Sequence, residues 1–248
     1  MSEHAKLHQN SQTISLSFES SLIQSCMRLA DPDELVLDYT RAMMGFLLFN
    51  PSPQSLLMIG LGGGSMHKYL HRHLPQTDLT TVEINPGVIE LRQDFCIPPD
   101  DARSRILCAD GVAFLKHPAR QFDIILVDGF TGEGLPPALC TPGFYRRVKA
   151  ALAPQGLMVA NVQADTAQTR EIHSRVSRVF DGAMASFESD EGGNDIVLAG
   201  QHPALSLAAL EFDPRWQALP EAHQATLAAS STRIHRALLK NVRPLPSP

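Results

Sequence analysis

Between residues 56 and 200 the sequence alternates short apolar runs with segments of helical pattern, and this alternation constrains the fold more than any other feature. The runs LLMIG, LTTVEI, RILCAD, FDIILVDGF and GLMVANV are typical of strands that are covered on both faces. Helices between such strands cover a parallel sheet through right-handed crossovers. Two further runs, AMASFES and DIVLAG, bring the number of strands to seven. The sequence therefore predicts an α/β domain with a doubly wound, mostly parallel sheet.

The two flanks of this region predict smaller units. Residues 12–27 alternate polar and apolar side chains, which predicts a short β-hairpin within an N-terminal unit of residues 1–30. The segment DPDELVLDYTRAMMGFLLF predicts an amphipathic helix at the start of a Rossmann-like domain of residues 31–202. Residues 203–248 are rich in Ala and Leu and predict a C-terminal extension of one or two helices packed on the outside.

Charge and targeting signals exclude several classes of function. The net charge of −5 offers no basic face for nucleic acid. The N-terminus lacks the apolar core of a signal peptide, and no apolar run reaches the ~20 residues that span a bilayer. The four cysteines are scattered without metal-ligand spacing, so we expect reduced thiols and no metal site. These features predict a cytoplasmic protein that acts on a small molecule, with neither nucleic acid nor membrane as partner.

Four glycines fall within five residues directly after the first predicted strand. They are Gly60, Gly62, Gly63 and Gly64 of LLMIGLGGGSMHKYL, and a predicted helix begins at Ser65. Glycine at a strand-to-helix turn lets a ligand contact the main chain, and the helix N-terminus favours a polar or anionic group. The GxGxG spacing is that of adenosylmethionine-binding proteins rather than the GxGxxG of dehydrogenases. We therefore expect an adenosyl nucleoside over these glycines.

Acidic residues end the next three predicted strands. Glu83, with Ile84 beside it, comes 23 residues after Gly60, the position from which an acid binds ribose hydroxyls. The third strand ends in Asp110-Gly111 and the fourth in Asp128-Gly129. Ligands of parallel sheets bind at the carboxyl ends of the strands, so these side chains are expected to share one site. Asp110 has an alternative interpretation as the cap of a helix that begins near Val112.

From about Ser20 to Gly200 the chain resembles the spermidine synthase (polyamine aminopropyltransferase) family, in particular its compact bacterial members. The segments that carry the resemblance are LIQS, DPDELVLDYTRAMM, LLMIGLGGGS, TTVEINPGVIEL, CADGVAFL, FDIILVDGF, CTPGFYRRVKAALAPQGLMVANV and GGNDIVLAG. The resemblance implies the seven-stranded sheet of the adenosylmethionine-dependent methyltransferase type. It also implies transfer of an aminopropyl group from decarboxylated adenosylmethionine to a polyamine acceptor such as putrescine. The nucleoside is then a co-substrate, and no tightly bound cofactor is expected.

The resemblance also implies roles for individual residues. Glu83 would bind the ribose and Asp110 the adenine, with Ile84 and Gly111 beside them. Asp128 matches the aspartate at which the attacking amine is deprotonated. A primary ammonium has no lone pair, so the nucleophile must lose a proton to a base such as this carboxylate.

The acceptor side of the site is expected to contain Gln24 at the pocket mouth, Tyr39, Thr131 and Glu133. Thr131 stands where the family has a second acid that anchors the far ammonium of a diamine, and Glu133 is a candidate replacement. Asp190 and Glu191 are further candidate acids.

Other departures from the family pattern leave alternatives open. Gly63 replaces an aspartate that pairs with the amino end of the decarboxylated donor, and ESDEGGND lacks the family's polyamine-contacting tyrosine. A methyltransferase that uses intact adenosylmethionine is one alternative, and a non-catalytic nucleoside-binding protein is another. Because an isolated hairpin is marginally stable, the short N-terminal unit is expected to pack on its own domain or across a two-fold homodimer.

Overall fold

The structure is a computed structural model that describes residues 5–18, 23–117, 120–131 and 133–240. Parts of all three predicted units lie outside the described residues: 1–4 and 19–22 of the N-terminal unit, 118–119 and 132 of the Rossmann-like domain, and 241–248 of the C-terminal extension.

The described chain begins with a three-stranded antiparallel sheet. Its strands are β1 (Lys6–Gln9), β2 (Thr13–Ser17) and β3 (Ile23–Arg28), in that spatial order. β2 and β3 form the predicted hairpin, and β1 adds a strand that the hairpin prediction missed. The sequence KLHQ of β1 carries only one apolar residue. The strand is held by backbone pairing with β2 along all four of its residues.

The predicted seven-stranded sheet is confirmed. Its strands are β4 (Ser55–Ile59), β5 (Asp78–Glu83), β6 (Ser104–Cys108), β7 (Phe122–Val127), β8 (Leu152–Gln163), β9 (Met184–Glu188) and β10 (Asn194–Ala199). The spatial order is β6-β5-β4-β7-β8-β10-β9, parallel from β6 to β8, with β10 antiparallel to both of its neighbours. The order reverses at β4, because β5 and β6 lie on one side of it and β7 and β8 on the other. A crevice for ligand is expected at the carboxyl ends beside this reversal.

Ten α-helices occur among the described residues. They are α1 (Asp38–Met43), α2 (Ser65–His73), α3 (Pro86–Glu90), α4 (Gly111–Phe114), α5 (Pro142–Ala151), α6 (Ala167–Val179), α7 (His202–Leu210), α8 (Phe212–Ala218), α9 (Glu221–Leu227) and α10 (Ser231–Leu239). α3 and α5 begin at a proline, and each is capped by the side chain before it. Asn85 Oδ1 accepts from Gly87 N at 3.0 Å, and Thr141 Oγ1 accepts from Phe144 N at 3.0 Å.

The helix predicted for DPDELVLDYTRAMMGFLLF is shorter than expected. α1 begins only at Asp38, and a 3₁₀ helix, Met44–Leu48, continues it. The Arg41 guanidinium donates to the carbonyls of Leu35 and Val36 at 2.7 and 2.8 Å. These side-chain bonds stabilise an irregular entry to the helix in place of its predicted first turns.

The C-terminal extension forms four short helices, α7 to α10, rather than one or two. Pro220 separates α8 from α9, where a continuous helix would clash with the proline ring. Leu205, Leu227, Ile234 and Leu238 are fully buried in the core that contains the sheet. The extension is therefore part of the domain core and not an outer layer.

The N-terminal sheet packs over α3 and over the loops that follow β4 and α3. Leu16 and Met27 form a small apolar cluster with Leu61, Val88 and Phe95. This packing brings β3 against the glycine turn, at the carboxyl edge of the large sheet.

Candidate active site

A cavity of about 450 Å³ opens at the carboxyl ends of β4 to β8, under β3. Its volume is in the range of small-molecule sites. Three carboxylates line it, those of Glu83, Asp110 and Asp128, and no Lys, Arg or His is among its described lining residues. A site with this charge favours a cationic ligand.

Two of the four predicted glycines, Gly60 and Gly62, line the cavity. Gly60 has φ +96°, and a Cβ there would lie 2.1 Å from the backbone oxygen of Asp128. The chain itself, rather than a ligand, therefore requires glycine at position 60.

The other two glycines lie against protein side chains. A Cβ at Gly63 would lie 2.8 Å from Phe95 and 2.9 Å from Ser25 Cβ, and one at Gly64 would lie 2.3 Å from Ile97. Gly63 N donates to Ser25 Oγ at 2.8 Å, which ties β3 to the turn. An aspartate at position 63 would require Phe95 and Ser25 to move.

Glu83 lies at the end of β5 with its carboxylate aimed at the glycine turn. Oε2 accepts from Leu61 N and Oε1 from Asn85 N, both at 2.8 Å. The side chain is 8% exposed and lines the cavity. A carboxylate oxygen has two lone pairs, so each oxygen keeps one for a ribose hydroxyl.

Glu83→Gln is expected to weaken nucleoside binding by ~1–3 kcal/mol and to destabilise the fold by a similar amount. A glutamine can accept from one of the two backbone amides but must turn its NH₂ towards the other. Calorimetric titration with methylthioadenosine and thermal unfolding measure the two effects. Glu90→Gln, on the exposed end of α3, is the matched control and should change neither.

Asp110 and Gly111 lie at the β6 end of the cavity. Asp110 Oδ1 accepts from Val112 N at 2.7 Å and from Ala113 N at 3.3 Å, so this residue caps α4. The side chain is exposed, and both cap bonds fall on one of its two oxygens. The cap and an adenine contact are therefore compatible. Gly111 permits the close approach of Ile59, whose Cγ2 would lie 2.5 Å from a Cβ.

Asp128 follows β7 and is held by two side chains. Asn161 Nδ2 donates to its Oδ1 at 3.0 Å, and the Tyr39 hydroxyl donates to its Oδ2 at 3.4 Å. Burial raises the pKa of this carboxyl from 3.8 to about 6, although the two hydrogen bonds lower it and Glu83 adds to the rise. Burial and the nearby Asp128 also raise the pKa of Tyr39 well above its usual value, so the phenol stays a donor. An oriented carboxylate with a pKa near neutrality is suited to accept a proton.

Two asparagines beside Asp128 were not predicted from the sequence. Asn161 is 2% exposed at the end of β8, and its Oδ1 accepts from Asn194 Nδ2 at 2.9 Å at the start of β10. The relay from Asn194 through Asn161 fixes the orientation of the Asp128 carboxylate. The amide residue near the end of the otherwise apolar run LMVANV is the sequence feature from which Asn161 could have been predicted.

The predicted acceptor-side residues divide between the cavity and the surface. Gln24, Tyr39 and Thr131 line the cavity, with the Gln24 carbonyl 3.4 Å from the Tyr39 hydroxyl. The Thr131 hydroxyl donates to the Gly134 carbonyl at 3.0 Å within a tight turn. Glu133 is exposed and is not among the described lining residues.

The two other candidate acids also lie away from the cavity lining. Asp190 pairs with Arg233 of α10, and Glu191 N donates to Asp38 at 2.6 Å. The Asp190 carboxylate and the Glu191 backbone amide therefore join the β9–β10 turn to α10 and α1.

Within the described ranges, no three His, Cys, Asp or Glu residues are grouped so as to hold a metal ion. No described helix combines the length and apolar character needed to cross a bilayer.

The chain is similar in sequence to known aminopropyltransferases. Residues 29–188 match the spermine/spermidine synthase domain. A polyamine aminopropyltransferase of Chromobacterium violaceum is 39% identical over 207 residues, which cover 83% of this chain and 76% of the relative.

Solved structures share the fold. A probable spermidine synthase from Corynebacterium glutamicum has a TM-score of 0.67 at 20% identity, with 98% of this chain and 95% of that chain covered. Human methyltransferase-like protein 13 in complex with SAH has a TM-score of 0.62 at 23% identity, with 86% and 96% covered. The domain match and the 39% identical relative show that the chain belongs to the spermine/spermidine synthase family.

Proposed function

We propose that this protein is a transferase that moves an aminopropyl group from decarboxylated adenosylmethionine to a primary amine of the polyamine class, such as putrescine. The observation that carries the proposal is the acidic cavity with Asp128 held at the end of β7. The similarity to the polyamine aminopropyltransferase of Chromobacterium violaceum supports the same reaction.

In this proposal the nucleoside lies across the ends of β4, β5 and β6. Glu83 accepts from the ribose hydroxyls with the lone pairs that its backbone partners leave unused. Asp110 accepts from the adenine amino group while its other oxygen caps α4. Gly60 and Gly62 form the cavity wall beside the sulfonium.

Asp128 then accepts a proton from the acceptor ammonium, and the loss of this proton makes the amine nucleophilic. The amine nitrogen attacks the carbon next to sulfur, a C–N bond forms, and the C–S bond breaks. The bonding electrons go to sulfur, which leaves as the neutral thioether of methylthioadenosine. Asp128 receives one proton from the amine, and in-line positioning of the two reactants supplies much of the remaining acceleration.

A methyltransferase is the second candidate function, because Gly63 presents no side chain that would repel the carboxylate of intact adenosylmethionine. The structural likeness to methyltransferase-like protein 13 is compatible with it. The charge of the cavity opposes it, since a methionine carboxylate would enter a site with three carboxylates and no described basic lining residue. A non-catalytic nucleoside-binding role gives no reason for the hydrogen bonds that orient Asp128.

Nucleoside binding at two pH values distinguishes the proposed aminopropyl transfer from methyl transfer. Because burial raises the pKa of Asp128 to about 6, most of this carboxyl is protonated at pH 5. The affinity for cationic decarboxylated adenosylmethionine should therefore fall by about tenfold from pH 8 to pH 5. Neutral methylthioadenosine should lose much less affinity over the same range, and Asp128→Asn should remove the difference between the two ligands. Calorimetric titration measures these constants. Tighter binding of intact adenosylmethionine than of the decarboxylated form would contradict the proposal.

Assembly as a homodimer and a cytoplasmic location are also proposed, on the sequence features alone.

A further inference from the structure

We propose that, among primary amines, the site prefers an acceptor with a single positive charge and a neutral, hydrogen-bonding tail over a diamine such as putrescine. This inference rests on the proposed aminopropyl transfer and names the substrate class for the same site. It follows from the unequal distribution of charged and neutral polar groups between the two halves of the cavity.

The carboxylates are concentrated at the β4–β6 half. Glu83 ends β5, Asp110 follows β6, and both belong to the nucleoside side of the cavity. In the half formed by β7, β8 and β10, Asp128 is the only carboxylate among the described lining residues. One carboxylate matches one ammonium, and this ammonium must lose its proton to Asp128 before it attacks.

The remaining polar side chains of that half are neutral. Asn161 and Gln163 come from β8, Asn194 comes from β10, and Tyr39 reaches in from α1. The distances of 3.0 Å between Asn161 and Asp128 and 2.9 Å between Asn194 and Asn161 fix the two asparagines of this row next to the catalytic carboxylate. Amides and a phenol pair well with a hydroxyl or amide group of a ligand.

A second ammonium would be poorly served in this half of the cavity. An ionised group that leaves water needs an opposite charge or several hydrogen-bond acceptors in compensation. Glu133 is exposed outside the lining, and Asp190 already pairs with Arg233. A hydroxyl has a small desolvation cost, and a site built to hydrogen-bond a hydroxyl discriminates strongly against analogues without it.

The test compares three acceptors with a four-carbon chain: putrescine, 4-aminobutan-1-ol and butylamine. With decarboxylated adenosylmethionine as donor, kcat/KM is measured from methylthioadenosine release. The kcat/KM of the amino alcohol is expected to exceed that of both other acceptors, and to exceed that of putrescine by about tenfold or more. Equal or higher kcat/KM with putrescine overturns the inference while the proposed function stands. Absence of release with all three, and with cadaverine and spermidine, defeats the proposed function itself.

Variants locate the origin of the preference. Gln163→Glu adds a carboxylate to the neutral row at almost unchanged volume and leaves the hydrogen bonds from Asn194 through Asn161 to Asp128 in place. It should raise the ratio of putrescine to amino alcohol by about tenfold. Glu133→Gln, outside the cavity lining, should leave the ratio unchanged; a change of the ratio towards the amino alcohol would identify Glu133 as a diamine anchor and overturn the inference. Glu19→Gln, in a segment outside the described residues, should also leave the ratio unchanged. A change of the ratio towards the amino alcohol in this variant would likewise overturn the inference.

Discussion

Asp128→Asn is expected to lower kcat for methylthioadenosine release by ~10²–10⁴-fold. Asparagine keeps the size of the side chain and can still bond to Asn161 and Tyr39 after its amide orients, but it cannot accept a proton from the amine. The loss should therefore appear in kcat, with the affinity for neutral methylthioadenosine nearly unchanged.

The pH profile gives a second readout of the same variant. Wild-type kcat/KM should fall as the pH drops through about 6, because protonation of Asp128 removes the base. Residual activity of Asp128→Asn should lack this limb. Full activity in the variant would show that the catalytic carboxylate lies elsewhere, and the exposed Glu133 would be the next residue to substitute.

Gly60→Ala is expected to destabilise the fold by ~3–5 kcal/mol, the sum of a strained φ and an unrelieved clash. The added Cβ would lie 2.1 Å from the carbonyl oxygen of Asp128 and 2.8 Å from its carbonyl carbon, and backbone atoms cannot rotate away. Any relief must separate the ends of β4 and β7, which also displaces the Asp128 side chain. Urea unfolding and kcat measure the two consequences.

Gly134→Ala is the matched control for this substitution. Gly134 has a similar φ of +105°, but a Cβ there would meet nothing within 4 Å. It should cost only the backbone strain of ~1–3 kcal/mol. Equal destabilisation by the two substitutions would contradict the clash between the glycine turn and the β7 backbone.

The grouping of the acidic strand ends was predictable because strand ends are local features. A buried strand, a glycine turn and an acid follow one another within a few residues, and parallel strands bring such ends to one edge. Glu83, Asp110 and Asp128 therefore meet in the cavity as the pattern indicated.

The purpose of the glycines was less predictable, since their neighbours lie far along the chain. Gly60 faces the Asp128 backbone, and Gly63 faces Ser25 and Phe95. Nothing local to the turn distinguishes a glycine required by a ligand from one required by a neighbouring strand or side chain.

The support of Asp128 and the outer elements were also missed, for different reasons. Asn161 occupies an apolar run that gives no chemical motif, and its partner Asn194 is on another strand. β1 is held by backbone pairing with β2, and its polar sequence does not predict a strand. The C-terminal helices pack into the core because sheet and helix faces meet there in three dimensions, which a composition rich in Ala and Leu does not reveal.

Aminopropyl transfer at Asp128 can be tested by identifying the products of a single turnover. Purified protein in excess is mixed with decarboxylated adenosylmethionine and 4-aminobutan-1-ol or putrescine, and in parallel with intact adenosylmethionine and the same amines. Aminopropyl transfer should give equal amounts of methylthioadenosine and aminopropylated amine in the first pair of reactions. Both products should form ~10²–10⁴-fold more slowly with Asp128→Asn. Formation of adenosylhomocysteine and a methylated amine in the second pair, with no methylthioadenosine in the first, would contradict aminopropyl transfer.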